Sequence, residues 1–357
     1  MSLGELIDGK YELISVAGEG GMATVFKANV RGAAGFVRPV AIKRIKPEYR
    51  GLKNYIAMFV EEARVGSELA HPNIVQVHDF VIENGSYYLV MEWVEGLDVG
   101  SLLKAYRDAN ILLPWPLAIA IAVGTLRGLG AAHERRSADG TLSPVIHRDV
   151  SPHNILLGTS GAVKLSDFGL ARARDRAASL TAPGTVKGKL SYLAPEVTFG
   201  KSNSAQSDMF STAVVIWEAL THARLFDGRT DLDVFKKIRA CAVPPLSDYR
   251  TDVPADVEAV LRRGLLADPA LRHASANDFA FAFASLLAQH SPRDASTALA
   301  TAVNEARVRL ASPSTDGDAT ATIGTFSGSA NVTTSFDIEF SAADLALDPV
   351  PLTKQKT

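Results

Sequence analysis

An aspartate, an asparagine and a second aspartate, Asp149, Asn154 and Asp167, are the residues of this chain best suited to chemistry. They lie in two runs, His147-Arg148-Asp149-Val150-Ser151-Pro152-His153-Asn154 and Asp167-Phe168-Gly169. The Asp149 carboxylate is suited to orienting a hydroxyl or accepting its proton. Asn154, five residues on, and Asp167, thirteen residues further, offer oxygen atoms that suit a hard divalent cation such as Mg²⁺. Together they describe phosphoryl transfer, where positioning and charge stabilisation carry the rate. Either tripeptide alone arises by chance; the order and spacing carry the reading.

Two upstream features belong to the same chemistry. Ala17-Gly18-Glu19-Gly20-Gly21-Met22-Ala23-Thr24-Val25 falls between two expected strands. Its glycines let backbone N–H groups approach phosphate oxygens. A strand follows it rather than a helix, which excludes a Walker A loop and a dinucleotide fingerprint. Val40-Ala41-Ile42-Lys43 then puts a lysine on the next strand. About twenty residues later a helical stretch carries Glu61 and Glu62. A pair between Lys43 and Glu62, with Glu61 as the competitor, would aim the ammonium at phosphate. Such a pair attracts by roughly 4 kcal/mol before desolvation.

The elements that must position these groups follow from pattern. Tyr11 to about Tyr88 reads as strand-rich, interrupted by one helix over Tyr55 to Leu69 that His71-Pro72-Asn73 ends. From about Leu97 to Ala288 the period is helical, with helices expected over Leu117–His133, Ser207–Thr221, Leu232–Cys241, Val257–Ala267 and Ala276–Leu287. This is an α+β chain with a small β-rich lobe, a larger helical lobe and a cleft between them. Of the 357 residues, 47% are hydrophobic, enough for a large core. A net charge of −2 does not favour nucleic acid or an anionic membrane as partner. The single cysteine, Cys241, excludes an intramolecular disulfide framework and suits the cytosol. The apolar run Ile111 to Leu126 is short for a membrane span and broken by Pro114 and Pro116, so it is read as a buried helix of a soluble protein.

Tyr11 to about Leu287 resembles the eukaryotic-type (Hanks-type) protein kinases, and is most similar to the bacterial serine/threonine ones. The resemblance implies a bilobal fold over residues 11–288, with ATP and Mg²⁺ as cofactors and protein hydroxyls as acceptors. Asp149, Lys43 and Glu62 match catalytic positions, and Asn154 and Asp167 match metal ligands. Residues 17–25 match the lid over the phosphates. Met91 matches the gatekeeper, Glu92-Trp93-Val94 the adenine-binding hinge, and Val25, Ala41 and Leu156 the apolar clamp. Asp98 falls where an acidic residue often contacts ribose. Ala194-Pro195-Glu196, Asp208 and Arg272 match the segment end, the brace of the catalytic loop and the partner of Glu196. Pro152 matches the serine/threonine pattern, and autophosphorylation is expected. Arg148 implies control by a phosphate, with Thr181 as first choice beside Thr185 and Ser179.

Two departures stand out. Ser151 replaces the lysine that such kinases carry two residues after the catalytic aspartate, which motivates a rival reading as a non-catalytic nucleotide-binding scaffold. Lys189 stands where threonine is usual. Its expected role is to reach across to Asp149 and the γ-phosphate; the alternative is a solvent-facing charge. Residues 289–357 form a C-terminal extension, helical to about Leu310 and expected to be mostly disordered beyond. Its Phe336–Phe340 run is a candidate docking segment, and its threonines, Thr320 and Thr322 among them, suit a phosphothreonine-recognising partner.

Overall fold

The computed structural model describes residues 4–137, 139–168, 190–291 and 294–311, together with the backbone of Phe326–Ser327. Strands β1 (Leu6–Ile7), β2 (Tyr11–Glu19), β3 (Ala23–Arg31), β4 (Val37–Ile45), β5 (Val77–Glu83) and β6 (Ser86–Glu92) form an antiparallel sheet of order β1-β2-β3-β4-β6-β5. Alternation sorts the two faces. Val40 and Ile42 join Phe26, Tyr88 and Val90 in one apolar cluster. Ala41 and Ile45 join Leu89 and Met91 in another, toward the helix. Lys43 has the parity of Ala41 and Ile45, so the pleat aims it at that second face.

Helix α1 (Lys53–Glu68) buries Phe59, Glu62, Ala63 and Gly66, a helical stripe that includes a carboxylate. It lies so close to β5 that a Cβ on Gly66 would stand 2.6 Å from Val77 Cγ2. After residues 93–95 comes a small sheet of β7 (Gly96–Asp98), β8 (Ile155–Gly158) and β9 (Val163–Leu165). Gly96 is required there, since a Cβ would fall 1.8 Å from the Leu157 carbonyl oxygen.

The helical lobe contains α2 (Val99–Asp108), α3 (Trp115–His133), α4 (Pro195–Thr198), α5 (Ala205–Thr221), α6 (Asp231–Ala240), α7 (Ala255–Gly264), α8 (Ala276–His290) and α9 (Ala295–Ala311). By length and hydropathy α3 would cross a membrane, yet 78% of its most apolar window is buried in the protein. Pro116 sits in its first turn, where a missing N–H costs nothing. Helix α5 begins at Ala205, two residues ahead of the expected Ser207, because Ser204 and Ser207 form a reciprocal capping box.

Helix α9 falls within the stretch read from sequence as an extension. It nevertheless buries Leu299, Ala302, Val303 and Ala306 in the main core of the helical lobe. Backbone at Phe326–Ser327 pairs in parallel with Gly18–Glu19 of β2. Thr320, Thr322 and the run 336–340 lie outside the described residues.

One partly buried titrating group closes α5. His222 ends α5 in a left-handed conformation (φ 57°), and its Nε2 accepts the backbone N–H of Leu113 at 3.1 Å. Burial, with Arg107 and Arg250 nearby, lowers its pKa to about 4. The bond needs neutral imidazole. Below the ordinary histidine range the unfolded chain takes up a proton that the folded chain refuses. This contribution is therefore complete above about pH 6.5 and is lost as pH falls toward 4. Chemical denaturation near pH 7 and near pH 5 will show about 1–2 kcal/mol less acid-induced loss for His222→Asn than for the wild type. Asparagine tolerates the left-handed backbone.

Candidate active site

Lys43 Nζ donates to Glu62 Oε1 at 2.6 Å and to Asp167 Oδ1 at 2.8 Å. One ammonium thus ties β4 to α1 and to the segment after β9. Glu61, the competing partner, is exposed and pairs with Arg64 one turn on. Burial pulls the Lys43 pKa down, but the Asp167 and Glu62 carboxylates outweigh it and hold the ammonium charged. Burial dominates at Glu62 and raises its pKa.

The catalytic-loop residues are placed by Asp208, which sits in the first turn of α5, where the helix dipole favours an anion. Its Oδ2 accepts the His147 N–H at 2.7 Å and its Oδ1 accepts the Arg148 N–H at 2.8 Å. His133 Nε2 lies 2.9 Å from the same carboxylate. Arg148 and Asp167 both have left-handed backbone, with φ of 68° and 56°. Such strain persists only where surrounding bonds enforce it. His147 Nδ1 accepts the Asp149 N–H, while Nε2 lies 2.9 Å from the Ser166 carbonyl, which only accepts. The ring is therefore the neutral Nε2–H tautomer, and burial lowers its pKa in the same sense. Phe168 packs on that ring at 4.8 Å. His133 had no assigned role from sequence; it is the last residue of a long apolar helix that also carries Thr125 and Arg127.

Asn154 is the last residue of a short helical turn begun by Pro152. Its Nδ2 donates to the Asp149 carbonyl at 2.7 Å and to Asp149 Oδ2 at 3.2 Å. That orientation commits the amide nitrogen to the loop and leaves the amide oxygen to act as a ligand. Among the described residues no group of three or more His, Cys, Asp or Glu side chains forms a metal cage. Two oxygen donors without a cage fit Mg²⁺, which is bound by one or two protein ligands together with phosphates and water.

The residues expected from sequence to face a nucleotide fall on these elements as follows. Ala17 lies at an irregularity in the pairing of β2 with β3, and Gly18↔Val25 and Glu19↔Thr24 close the ribbon. Gly20, Gly21 and Met22 form its tip, held by Gly20 N–H donating to the Ala23 carbonyl and Lys46 N–H donating to the Met22 carbonyl. Val25, Ala41, Met91, Val94 and Leu156 meet in one apolar cluster. The Glu92 carboxylate accepts from Lys164 Nζ at 2.9 Å. Among the described residues the backbone N–H and C=O of Val94 make no hydrogen bond, a donor and acceptor beside an apolar slot.

Asp98 is buried, caps α2 by accepting the Ser101 N–H at 2.7 Å with Oδ1, and lies 3.4 Å from His153 Nδ1. Ser151 Oγ is buried and unpaired among the described residues, as is Ser191 Oγ. Lys189, Thr181, Thr185 and Ser179 lie outside the described residues.

Arg272 uses all five guanidinium N–H groups. Nη1 and Nη2 grip Glu196 at 2.8 Å each, and the rest go to the carbonyls of Leu266, Gln206 and Ala267. This anchors α4, and with it the end of the segment that precedes it.

Residues 11–282 match the family described as the protein kinase domain. The chain belongs to the protein kinase family. That family uses ATP with a divalent metal and acts on protein substrates. The chain is 38% identical over 282 residues to the tyrosine-protein kinase MasK of Myxococcus xanthus, covering 79% of this chain and 44% of MasK. It is 34% identical over 278 residues to the serine/threonine-protein kinase PrkC of Bacillus subtilis, covering 78% of this chain and 40% of PrkC. It therefore spans less than half the length of these two relatives. The crystal structure of the Mycobacterium tuberculosis PknI kinase domain matches with a TM-score of 0.57 at 27% identity, covering 80% of this chain and 99% of that one.

Replacing Arg272 by Met will strand the buried Glu196 carboxylate. The kinase will lose about 3–5 kcal/mol of unfolding free energy, read by urea denaturation at neutral pH.

Proposed function

We propose that this chain transfers the γ-phosphoryl group of ATP, as its Mg²⁺ complex, to serine or threonine hydroxyls of proteins, itself included. The observation that carries the reading is the joined Glu62–Lys43–Asp167 array, with distances of 2.6 and 2.8 Å, standing with Asp149 and Asn154 on one braced loop. When bound, Mg²⁺ supplies charge neutralisation at the phosphates, and Asp167 and the Asn154 amide oxygen are the residues that would hold it. Lys43 orients the phosphates, Glu62 holds Lys43, and Asp149 orients the acceptor hydroxyl. The glycine-tipped ribbon excludes water above them. Val94 and the apolar cluster of Val25, Ala41, Met91 and Leu156 hold adenine.

Pro152 and the 34% identity to PrkC support a serine or threonine acceptor. The 38% identity to MasK, whose name specifies tyrosine, supports a tyrosine acceptor as the second reading. We assign the chain to the cytoplasmic side of the cell, where ATP and a reducing medium suit the lone free Cys241. The threonine-rich tail is the part offered to a phosphothreonine-recognising partner.

Labelled ATP with Mg²⁺ and purified protein will label the chain, and Asp149→Asn will reduce labelling at least 100-fold. Equal labelling of both proteins would sink the enzyme reading in favour of the scaffold. Phosphoamino-acid analysis then decides the acceptor: phosphotyrosine alone would replace the serine/threonine assignment by the tyrosine one.

The cation missing at Ser151 is supplied, in this reading, by Lys189. The buried, unpaired Ser151 hydroxyl supports it, since an arriving ammonium would satisfy that oxygen. Lys189→Ala will lower kcat by about 10²–10³-fold, and adding Ser151→Lys will recover part of the loss. A Lys189→Ala protein as fast as wild type ends this assignment.

A further inference from the structure

Glu95, the residue that follows the hinge, gathers three partners from three parts of the chain. Its Oε2 accepts from Trp93 Nε1 at 2.8 Å and from Lys27 Nζ at 3.0 Å. Its Oε1 accepts from the Arg307 guanidinium of α9. Lys27 lies on β3, paired with Ala41 and two residues beyond Val25, on the strand that roofs the apolar slot. Its ammonium also stands 4.8 Å from the Trp93 ring. One carboxylate therefore fixes the hinge indole to the upper lobe on one side and to α9 on the other.

Helix α9 is a firm support for this contact. Its apolar face is buried in the main core, Ala306 completely. Asn304 Nδ2 donates to the Thr159 carbonyl at 3.2 Å, and the Thr159 N–H donates to the Glu95 carbonyl at 2.8 Å. Arg309 reaches the Tyr106 ring of α2 at 5.5 Å. The helix thus reaches the side chain of Glu95 directly and its backbone through Thr159.

We infer that Arg307 is a positioning residue for ATP, holding the Glu95 carboxylate so that Trp93 and Lys27 set the hinge and the roof of the adenine slot. The inference rests on the kinase reading above and deepens it, because it makes the segment after residue 282 part of the nucleotide site. Charge at Glu95 agrees with the geometry: the Trp93 hydrogen bond and the nearby Lys27 and Arg307 cations hold its carboxyl below the usual carboxylate range. Arg307 and Glu95 are both partly exposed, with side-chain exposures of 38% and 46%. A single exposed pair has a small effect, so the expected change is about two- to fivefold.

The test uses the full chain, steady-state kinetics in ATP and binding of a fluorescent ATP analogue with Mg²⁺. Arg307→Ala will raise KM for ATP and the analogue Kd two- to fivefold, with kcat and Tm unchanged. Arg307→Lys will restore part of the affinity. The double variant with Glu95→Gln will bind no worse than Glu95→Gln alone, because both act through one contact. Unchanged analogue affinity in Arg307→Ala, or losses that add in the double variant, overturns the inference and leaves the kinase reading standing. A parallel fall in Tm and kcat overturns it as well, by showing a merely structural role. A wild-type chain that binds no analogue overturns both.

Discussion

The Lys43 ammonium between Glu62 and Asp167 is the constraint on which the site depends. Each charge is expensive to desolvate, and removing any one would strand the others. The geometry persists because all three elements are held independently. Strand β4 is central in its sheet, α1 is pressed onto β5 at Gly66, and the Asp167 segment is fixed through His147 and Ser166 to the loop that Asp208 holds. The array therefore joins the sheet to the helical lobe, to whose main core α1 also contributes Val65.

Much of this was legible in the residue order, and the reason is physical. The chemistry proposed for this site needs particular atoms at fixed separations, so Lys43, Asp149, Asn154 and Asp167 are recognisable by order and spacing in the sequence. Glu62 stands out from its neighbour Glu61 in the sequence only because it fits the family's pattern; the burial that separates the two carboxylates is seen in the structure. The ends of helices were less legible: α5 starts earlier than its apolar period because two serines cap each other. Asp98 shows a role that the motif did not announce, since an acidic side chain at a helix start also serves as an N-cap and accepts the backbone N–H of Ser101.

The contacts that escaped sequence reading join residues far apart in the chain. Arg307 and Glu95 are separated by 212 positions, and His133 and Asp208 by 75. No local period announces such a partner. The α9 helix shows the same limit. Its alanine-rich run has a weak amphipathic pattern, and only the groove left by α2, α3 and the small sheet shows which of its faces is apolar enough to dock.

Helix α3 carries a consequence for biosynthesis. It is apolar nearly all round, and its packing partners α5 and α8 lie downstream. The last of them, α8, ends about 150 residues after α3 does, so α3 waits roughly 8–30 s on the ribosome before its groove is complete. During that wait its apolar surface has no partner from the second half of the chain. The exposure of α3 during synthesis is thus set by the order of elements along the chain rather than by the stability of the finished fold.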